Sequence, residues 1–479
     1  PSEPTFVELP PELGAPAGTC GRLCRHMYGT QKAAEGWQEE YSCTLREIGF
    51  EQGRACPCLF FHRERGLVTS VHGDDFTTAG PKRQLDWFEG EMAKAYEVTC
   101  GGRLGPGKND DKEATVLNRV VRWTSAGLEY EADPRQVEKL LAEVELAGEK
   151  INGSATPGSK VTATQVAEET ELPPEMQTPY RGWAARANYL AADRPDTLFA
   201  AKEVCRFMSK PTNLAMVALK RLCRYLRTRQ RLVFRYDYQS ATHLDVYSDT
   251  DHAGCIRTRK STSGGCSMVG RHIIKTWSAT QACVALSSGE AEFYGVVRAA
   301  GIALGHKALM ADLGLKLPAR VWTDSSAAIG ICGRQGLGKL RHIECHTLWV
   351  QQRLRQGDFE LRKVRGEVNP ADLFTKYLES RTKIDQLLTL FACDLREGRP
   401  SAAPMLRREG LGIQGSSPDD DALKSVMDQD LPMHDPGVLP HHHSGTDIDK
   451  MFPSIQPAPQ SDFGERETSG GDPSLVDPI

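Results

Sequence analysis

Leu244-Asp-Val-Tyr-Ser-Asp-Thr-Asp-His-Ala-Gly254 begins as a short strand, about Leu244 to Ser248, and delivers a carboxylate, Asp249, at its end. Working outward, Gly264 to Val269 and Ile273 to Ser278 read as two further strands, and about Ser288 to Leu313 reads as a helix. Val321 to Thr323 and Phe359 to Val364 are short strands with helical stretches between and after them. Three antiparallel strands feeding αβ units over residues 244–378 predict a mixed sheet with helices on its faces.

Four acids in this region stand at places that topology can bring together. Asp249 and Asp324, the latter in Trp322-Thr-Asp324, end strands. Ser287-Ser-Gly-Glu290 reads as a capping box, which commits Glu290 and leaves Glu292 free. Asn369-Pro-Ala-Asp372 opens another helix, with Asn369 as cap and Pro370 in the first turn. Taken singly, each acid has an ordinary explanation, as a turn residue or as a partner of a helix dipole. Together they can converge on one sheet edge, where they repel unless cations lie between them. Two Mg²⁺, or Mn²⁺ in their place, held by bridging carboxylates suit an in-line phosphodiester displacement.

The motifs extend this reading. Tyr247-Ser-Asp-Thr-Asp-His-Ala-Gly254, Arg259-Lys-Ser-Thr-Ser-Gly-Gly265, Trp277-Ser278, Ala285-Leu-Ser-Ser-Gly-Glu-Ala-Glu-Phe-Tyr294, Thr323-Asp-Ser-Ser-Ala-Ala-Ile329, Arg341-His-Ile-Glu344 and Asn369-Pro-Ala-Asp-Leu-Phe-Thr-Lys376 follow one another in order. This region of about 135 residues resembles the ribonuclease H domain of copia-type retrotransposons. The resemblance implies catalytic and metal-binding roles for Asp249, Glu292, Asp324 and Asp372. It also implies a substrate, the RNA strand of an RNA–DNA hybrid, recognised by shape and 2′-hydroxyls. The loop Val364-Arg-Gly-Glu-Val-Asn369 lacks the histidine that many ribonucleases H carry there, and His342 and His346 are the candidates to stand in.

Upstream, Met27-Tyr-Gly-Thr-Gln-Lys-Ala-Ala-Glu-Gly-Trp37, Leu67-Val-Thr-Ser-Val-His-Gly-Asp-Asp-Phe76, Ala155-Thr-Pro157, Tyr180-Arg181, Arg194-Pro-Asp196 and Arg206-Phe-Met-Ser209 resemble the reverse transcriptase of the same elements from mid-palm onward. Asp74 and Asp75 match the adjacent pair of metal-binding aspartates. The third belongs before Tyr28, where Pro1 to Leu23 contains no Asp. The expectation is therefore an incomplete polymerase that does not extend primers. The run Lys220-Arg-Leu-Cys-Arg-Tyr-Leu-Arg-Thr-Arg-Gln-Arg231 reads either as a solvated helix face or as a grip on hybrid phosphates through Lys220, Arg221, Arg224, Arg227, Arg229 and Arg231.

Bulk properties frame these readings. The chain has 479 residues and a net charge of −4. After residue 400 there are five Lys/Arg against 14 Asp/Glu, so the first 400 residues carry +5. Residues 202–235 alone hold ten basic side chains and one acid, and phosphate binding responds to such local charge. The 14 cysteines lack zinc-site spacing, and many sit in apolar segments, as reduced core thiols do. No apolar run is long enough for a membrane span, and the N-terminus lacks a signal-peptide pattern. The expected location is cytoplasmic or nuclear, with no small-molecule cofactor; upstream polyprotein segments are the other expected partners.

The expected fold class is α/β: a ribonuclease H-like mixed five-stranded sheet flanked by helices, preceded by a partial α+β reverse transcriptase palm and connection, and followed by a disordered tail. The boundaries are 1–150 for the truncated palm and thumb region, 151–178 for a linker, 179–240 for a helical connection with the basic helix, 241–380 for the ribonuclease H-like domain, and 381–479 for a mostly disordered acidic tail. The rival reading is a degenerate or domesticated copy that binds nucleic acid without cutting it. A third is a structural α/β protein whose acids only cap helices.

Overall fold

The computed structural model describes residues 4–405 except 17, 28, 31 and 147–151. A ribbon of β1 (Phe6–Glu8) and β2 (Cys20–Arg22) leads into helix α1 (Ala33–Glu47). Strands β3 (Glu51–Gln52), β4 (Leu59–His62), β5 (Leu67–His72) and β6 (Asp75–Ala79) form an antiparallel meander, followed by α2 (Lys82–Ala95). Leu67, Thr69 and Val71 alternate inward along β5, as a half-buried strand requires. Leu67 and Val71 join Tyr41, Leu45, Phe60, Phe88 and Met92 in one apolar cluster.

A second antiparallel sheet begins with β7 (Glu113–Val116), β8 (Arg119–Thr124) and β9 (Gly127–Glu131). Helices α3 (Pro134–Glu143), α4 (Ala163–Ala167), α5 (Pro174–Ala191), α6 (Leu198–Cys205) and α7 (Asn213–Thr228) follow, then β10 (Arg231–Asp237), which returns to pair with β9. The Asp133 and Thr162 side chains cap α3 and α4, and Thr212 caps α7. Helices α3, α5, α6 and α7 share a core that includes Leu140, Tyr180, Ala187, Val204, Leu219 and Leu226.

The third sheet contains β11 (Leu244–Asp251), β12 (Thr262–Val269), β13 (His272–Thr280), β14 (Ala319–Thr323) and β15 (Glu360–Lys363) in the order β13-β12-β11-β14-β15. The first three strands are antiparallel, and β14 and β15 run parallel to β11. Helix α8 (Ser288–Asp312) connects β13 to β14, and α9 (Ser326–Gly333) and α10 (Trp349–Arg355) lie between β14 and β15. This is the mixed five-stranded sheet flanked by helices that the sequence leads one to expect. Leu244 and Val246 pack with Phe293, Val296, Ala299 and Ala300 of α8 on one face. The other face meets a short 3-10 turn, Pro370–Phe374, whose Leu373 and Phe374 pack with Cys266 and Met268.

Residues 381–405, read from the sequence with the tail, are folded. Helix α11 (Arg381–Thr389) buries Ile384, Leu387 and Leu388, and β16 (Cys393–Arg396) pairs antiparallel with β10. The sequence signal is weak because a four-residue edge strand has too little length for periodicity to show. The rest of the expected tail, from 406 onward, lies outside the described residues. The 151–178 segment, read as a linker, contains α4 and the start of α5, and its Thr156 is buried. All 14 cysteines are free thiols. No helix among the described residues is long and apolar enough to cross a membrane.

One buried ion pair ties the connection together. Arg194 Nε and Nη2 donate to Asp196 at 2.9 and 2.7 Å, Tyr225 Oη donates to Asp196 Oδ2 at 2.9 Å, and both charged side chains are almost fully buried. Removing only the acid strands a charge away from water. Asp196→Ala should destabilise the fold by about 3–5 kcal/mol. A shift in the denaturant midpoint measures it, and an unchanged midpoint would show that the pair is dispensable.

Candidate active site

The strand β11 carries Asp249 near its end, where Asp249 pairs across the sheet with Gly264 of β12. Two glycines let the flanking layers close on this point. A Cβ on Gly295 of α8 would stand 2.6 Å from Thr250 Oγ1 and 3.0 Å from Ser248 Oγ, so glycine lets the helix lie this near β11 without turning those hydroxyls aside. A Cβ on Gly264 would stand 2.6 Å from the Phe374 carbonyl oxygen, so glycine there admits the 3-10 turn on the opposite face. Glu292, one turn before Gly295, arrives with the helix; Asp372 arrives with the turn. Asp324 follows β14, the parallel neighbour of β11.

The outcome is a cluster. Carboxylate oxygens of Asp249, Glu292 and Asp324 all lie within 4.8 Å of one another, and this is the one group with metal-holding geometry among the described residues. Asp249 is 4% exposed. Glu292 Oε2 is buried and has no hydrogen-bond partner. Asp372 lies outside that group and reaches Asp249 from the other side, linked through Lys376. Lys376 Nζ is 2.7 Å from Asp372 Oδ1 and 3.6 Å from Asp249 Oδ2. The Thr375 hydroxyl donates to Asp249 Oδ2, and Asn369 Nδ2 donates to the Ser248 carbonyl at 3.1 Å, fastening the turn to β11. The loop before the turn also approaches the site: a Cβ on Gly366 would stand 3.2 Å from Asp324 Oδ2.

Crowded carboxylates in a partly desolvated place resist ionisation. Burial, then the charges of Asp249 and Asp324, push the Glu292 carboxyl up to about 9. Burial and Asp249 push Asp372 up to about 6 and raise Asp324 as well. The donor set is all oxygen and anionic, which fits a hard divalent cation.

Several expected residues sit elsewhere. Ser287 caps α8 by accepting from the Glu290 N–H, and the Glu290 carboxylate accepts in return from the Leu286 N–H at 3.1 Å, one residue before the cap. His342 Nε2 lies 2.9 Å from Glu290 Oε2, and exposed His346 pairs with Glu344. Neither histidine belongs to the acidic cluster. Asp74 and Asp75 are exposed at the tip of the β5–β6 hairpin, where Gly73 takes φ +62°, and no third acid joins them in a metal-holding group among the described residues.

The basic run needs a correction. Arg229 is 4% exposed and pairs with Asp385 at 2.7 Å; Arg231 pairs with Glu131 at 2.8 Å; Arg221 donates to Thr156 Oγ1 at 2.8 Å. These three guanidinium groups hold the connection to its neighbours rather than standing ready for phosphate. Position explains two of the three: Arg229 is the C-cap of α7, just past the buried Tyr225 and Leu226, and Arg231 opens β10. Lys220 is exposed, and Arg224 and Arg227 are half-buried.

Comparison with known proteins follows the same pattern. The chain is 25% identical over 370 residues to the retrovirus-related Pol polyprotein of transposon TNT 1-94 from Nicotiana tabacum, covering 74% of this chain and 27% of that protein. It is 26% identical over 395 residues to the corresponding polyprotein of transposon RE1 from Arabidopsis thaliana, covering 80% of this chain and 26% of that one. The chain is homologous to the retrovirus-related Pol polyproteins of copia-type transposons. This Pol relative spans about a quarter of the length of the curated polyproteins it matches. No protein-family profile matches it. Among solved structures, a compost-derived ribonuclease H1, LC11, aligns over 99% of its own chain and 31% of the Pol relative, with 15% identity and a TM-score of 0.21.

The Glu292 shift has a measurable consequence. A carboxyl held neutral by the fold contributes stability that is complete below its ordinary value of 4.5 and is lost as pH rises toward about 9. In EDTA, the melting temperature of this Pol relative should fall over that range, and Glu292→Gln should flatten the fall. Equal slopes for the two proteins would remove Glu292 as its source.

Proposed function

We propose that this chain is a metal-dependent endonuclease that hydrolyses RNA in RNA–DNA hybrids. The observation that carries the reading is the convergence of Asp249, Glu292 and Asp324 within 4.8 Å, with Asp372 on the far side of Asp249. Four acids from both layers of the sheet meet at one end of two adjacent strands, and Glu292 Oε2 is buried there without a partner. Caps alone do not explain that convergence, because a cap serves its own helix. Homology to Pol polyproteins supports the same chemistry.

Asp249, Glu292 and Asp324 would hold one divalent cation, Mg²⁺ or Mn²⁺, and Asp249 with Asp372 a second. When bound, the pair supplies an activated water and stabilises the leaving oxygen of an in-line displacement. The chain's own part is to fix the acids: Gly295 sets the approach of Glu292, Gly264 and Asn369 set that of Asp372, and Thr375 holds the Asp249 carboxylate in place. The hybrid would be read through backbone shape and 2′-hydroxyls, since no base-reading element is needed for cleavage.

Purified protein should cut the RNA strand of a hybrid with Mg²⁺ and leave it intact in EDTA. Asp249→Asn should reduce cleavage to the EDTA level while preserving the circular dichroism spectrum, because it removes a charge from a repelling group. Full cleavage by that variant would exclude Asp249 from the mechanism. The hairpin pair Asp74 and Asp75 would hold metal poorly with two acids, so the chain should not extend a primer; measurable extension would refute this.

Hybrid affinity offers a separate test of the basic helix. Lys220→Gln with Arg224→Gln should weaken binding and lower the salt slope by about 0.9 for each phosphate no longer neutralised. A slope identical to that of the unaltered chain would place the hybrid away from α7.

A further inference from the structure

Lys376 lies at the acidic site and has no part in the proposed chemistry. Its ammonium lies 2.7 Å from Asp372 Oδ1 and 3.6 Å from Asp249 Oδ2. Those oxygens belong to carboxylates with side chains only 13% and 5% exposed. The lysine is four residues beyond Asp372, at the end of the turn that Asn369 and Thr375 fasten to β11. Its placement is therefore fixed by the same backbone that places the acid. A surface Lys–Asp pair at this spacing contributes little. Here the ammonium offsets repulsion between two desolvated carboxylates, which is the task a metal ion would perform.

We propose that the Lys376 ammonium is a built-in cation of this site: it fills the position between Asp249 and Asp372, so that divalent ions load in order, first among Asp249, Glu292 and Asp324, and between Asp249 and Asp372 only by displacing the lysine. The inference rests on the metal-dependent reading above. Geometry separates the two positions. The triad position contains the unpartnered Glu292 Oε2, whereas the short ion pairs of Lys376 are to Asp249 and Asp372. The Asp249–Asp372 position already holds a charge of the right sign. The Lys376 side chain is 36% exposed, which leaves it a path to solvent when displaced. In that swung-out state it becomes a positive group beside the scissile bond, able to contact a substrate phosphate. The first ion is thereby bound without substrate, whereas the second is favoured when a phosphate draws the lysine away.

The test is Mn²⁺ binding to the full chain without nucleic acid, followed by electron paramagnetic resonance. The unaltered protein should show one stronger and one weaker event. Lys376→Met, which keeps the length of the side chain and removes its charge, should tighten the weaker event by about tenfold or more and affect the stronger one less. A lysine with a purely structural role would lower stability on replacement and leave Mn²⁺ affinity unchanged or weaker, and that result would overturn the proposal. A second measurement needs no variant. Acetylation of Lys376 by an N-hydroxysuccinimide ester, read by peptide mass spectrometry, should accelerate when Mg²⁺ displaces the ammonium; a rate that Mg²⁺ leaves unchanged overturns the proposal equally. Asp324→Asn separates this inference from the one beneath it. Mn²⁺ binding that depends on Asp324, with no second event in either the unaltered chain or Lys376→Met, removes the lysine inference alone. Binding that is absent, or indifferent to Asp324, removes the metal site itself.

Discussion

Mutual repulsion among carboxylates is the constraint around which the mixed sheet of β11 to β15 and its flanking helices are built. Left in water, Asp249, Glu292, Asp324 and Asp372 would separate; at an effective dielectric of about 20, two such charges 4 Å apart repel by about 4 kcal/mol. The fold holds them by where the backbone places them, with the Asn369 and Thr375 side chains fastening the turn to β11. Asp324 cannot leave because β14 is hydrogen-bonded to β11 in register. Glu292 cannot leave because α8 is seated on Ser248 and Thr250 through Gly295. Asp372 cannot leave because its turn is packed over Gly264 and anchored by Asn369. What the metal-free protein can adjust is protonation and the position of one lysine. The elevated Glu292 and Asp372 carboxyls and the seated Lys376 are two answers to the same problem.

Legibility in the sequence follows from how local each determinant is. Asp249 and Asp324 are readable because strand ends can be located within a residue or two from short apolar runs. Glu292 is reached by elimination, since the capping geometry claims Glu290, and the carboxylate of Glu290 is indeed occupied by Leu286 N–H and His342. Gly264, Gly295 and Thr375 are not readable as site residues. Their importance lies in what approaches them from distant segments, and a single glycine in a strand or helix gives no hint of its neighbour. Lys376 stands at the end of a recognisable motif, but its task appears only when Asp249 is brought beside it from 127 positions earlier. The basic run shows the converse error: charge density along the sequence is plain, yet three of its arginines are spent on Asp385, Glu131 and Thr156, partners contributed by other segments.

The order of strands adds a point that the motifs do not contain. Strand β10 enters the second sheet before the mixed sheet of β11 to β15 begins, and β16 enters it after that sheet ends, paired directly with β10. The mixed sheet is therefore inserted into the connection sheet instead of following it. The two sheets share one apolar cluster in which Tyr225, Leu232 and Phe234 of the connection meet Cys266 and Met268 of β12, Leu373 and Phe374 of the acidic turn, and Leu387, Leu388 and Phe391 beyond it. The same turn thus has two supports. Its polar side is fastened to β11 at the site, and its apolar side is buried against the connection. A displacement of α11 or β16 would reach Asp372 through Leu373 and Phe374 without touching any charged group. Placement of that acid is consequently supported from both sheets, because the Leu373 and Phe374 beside it pack against residues on either side of the 244–378 stretch.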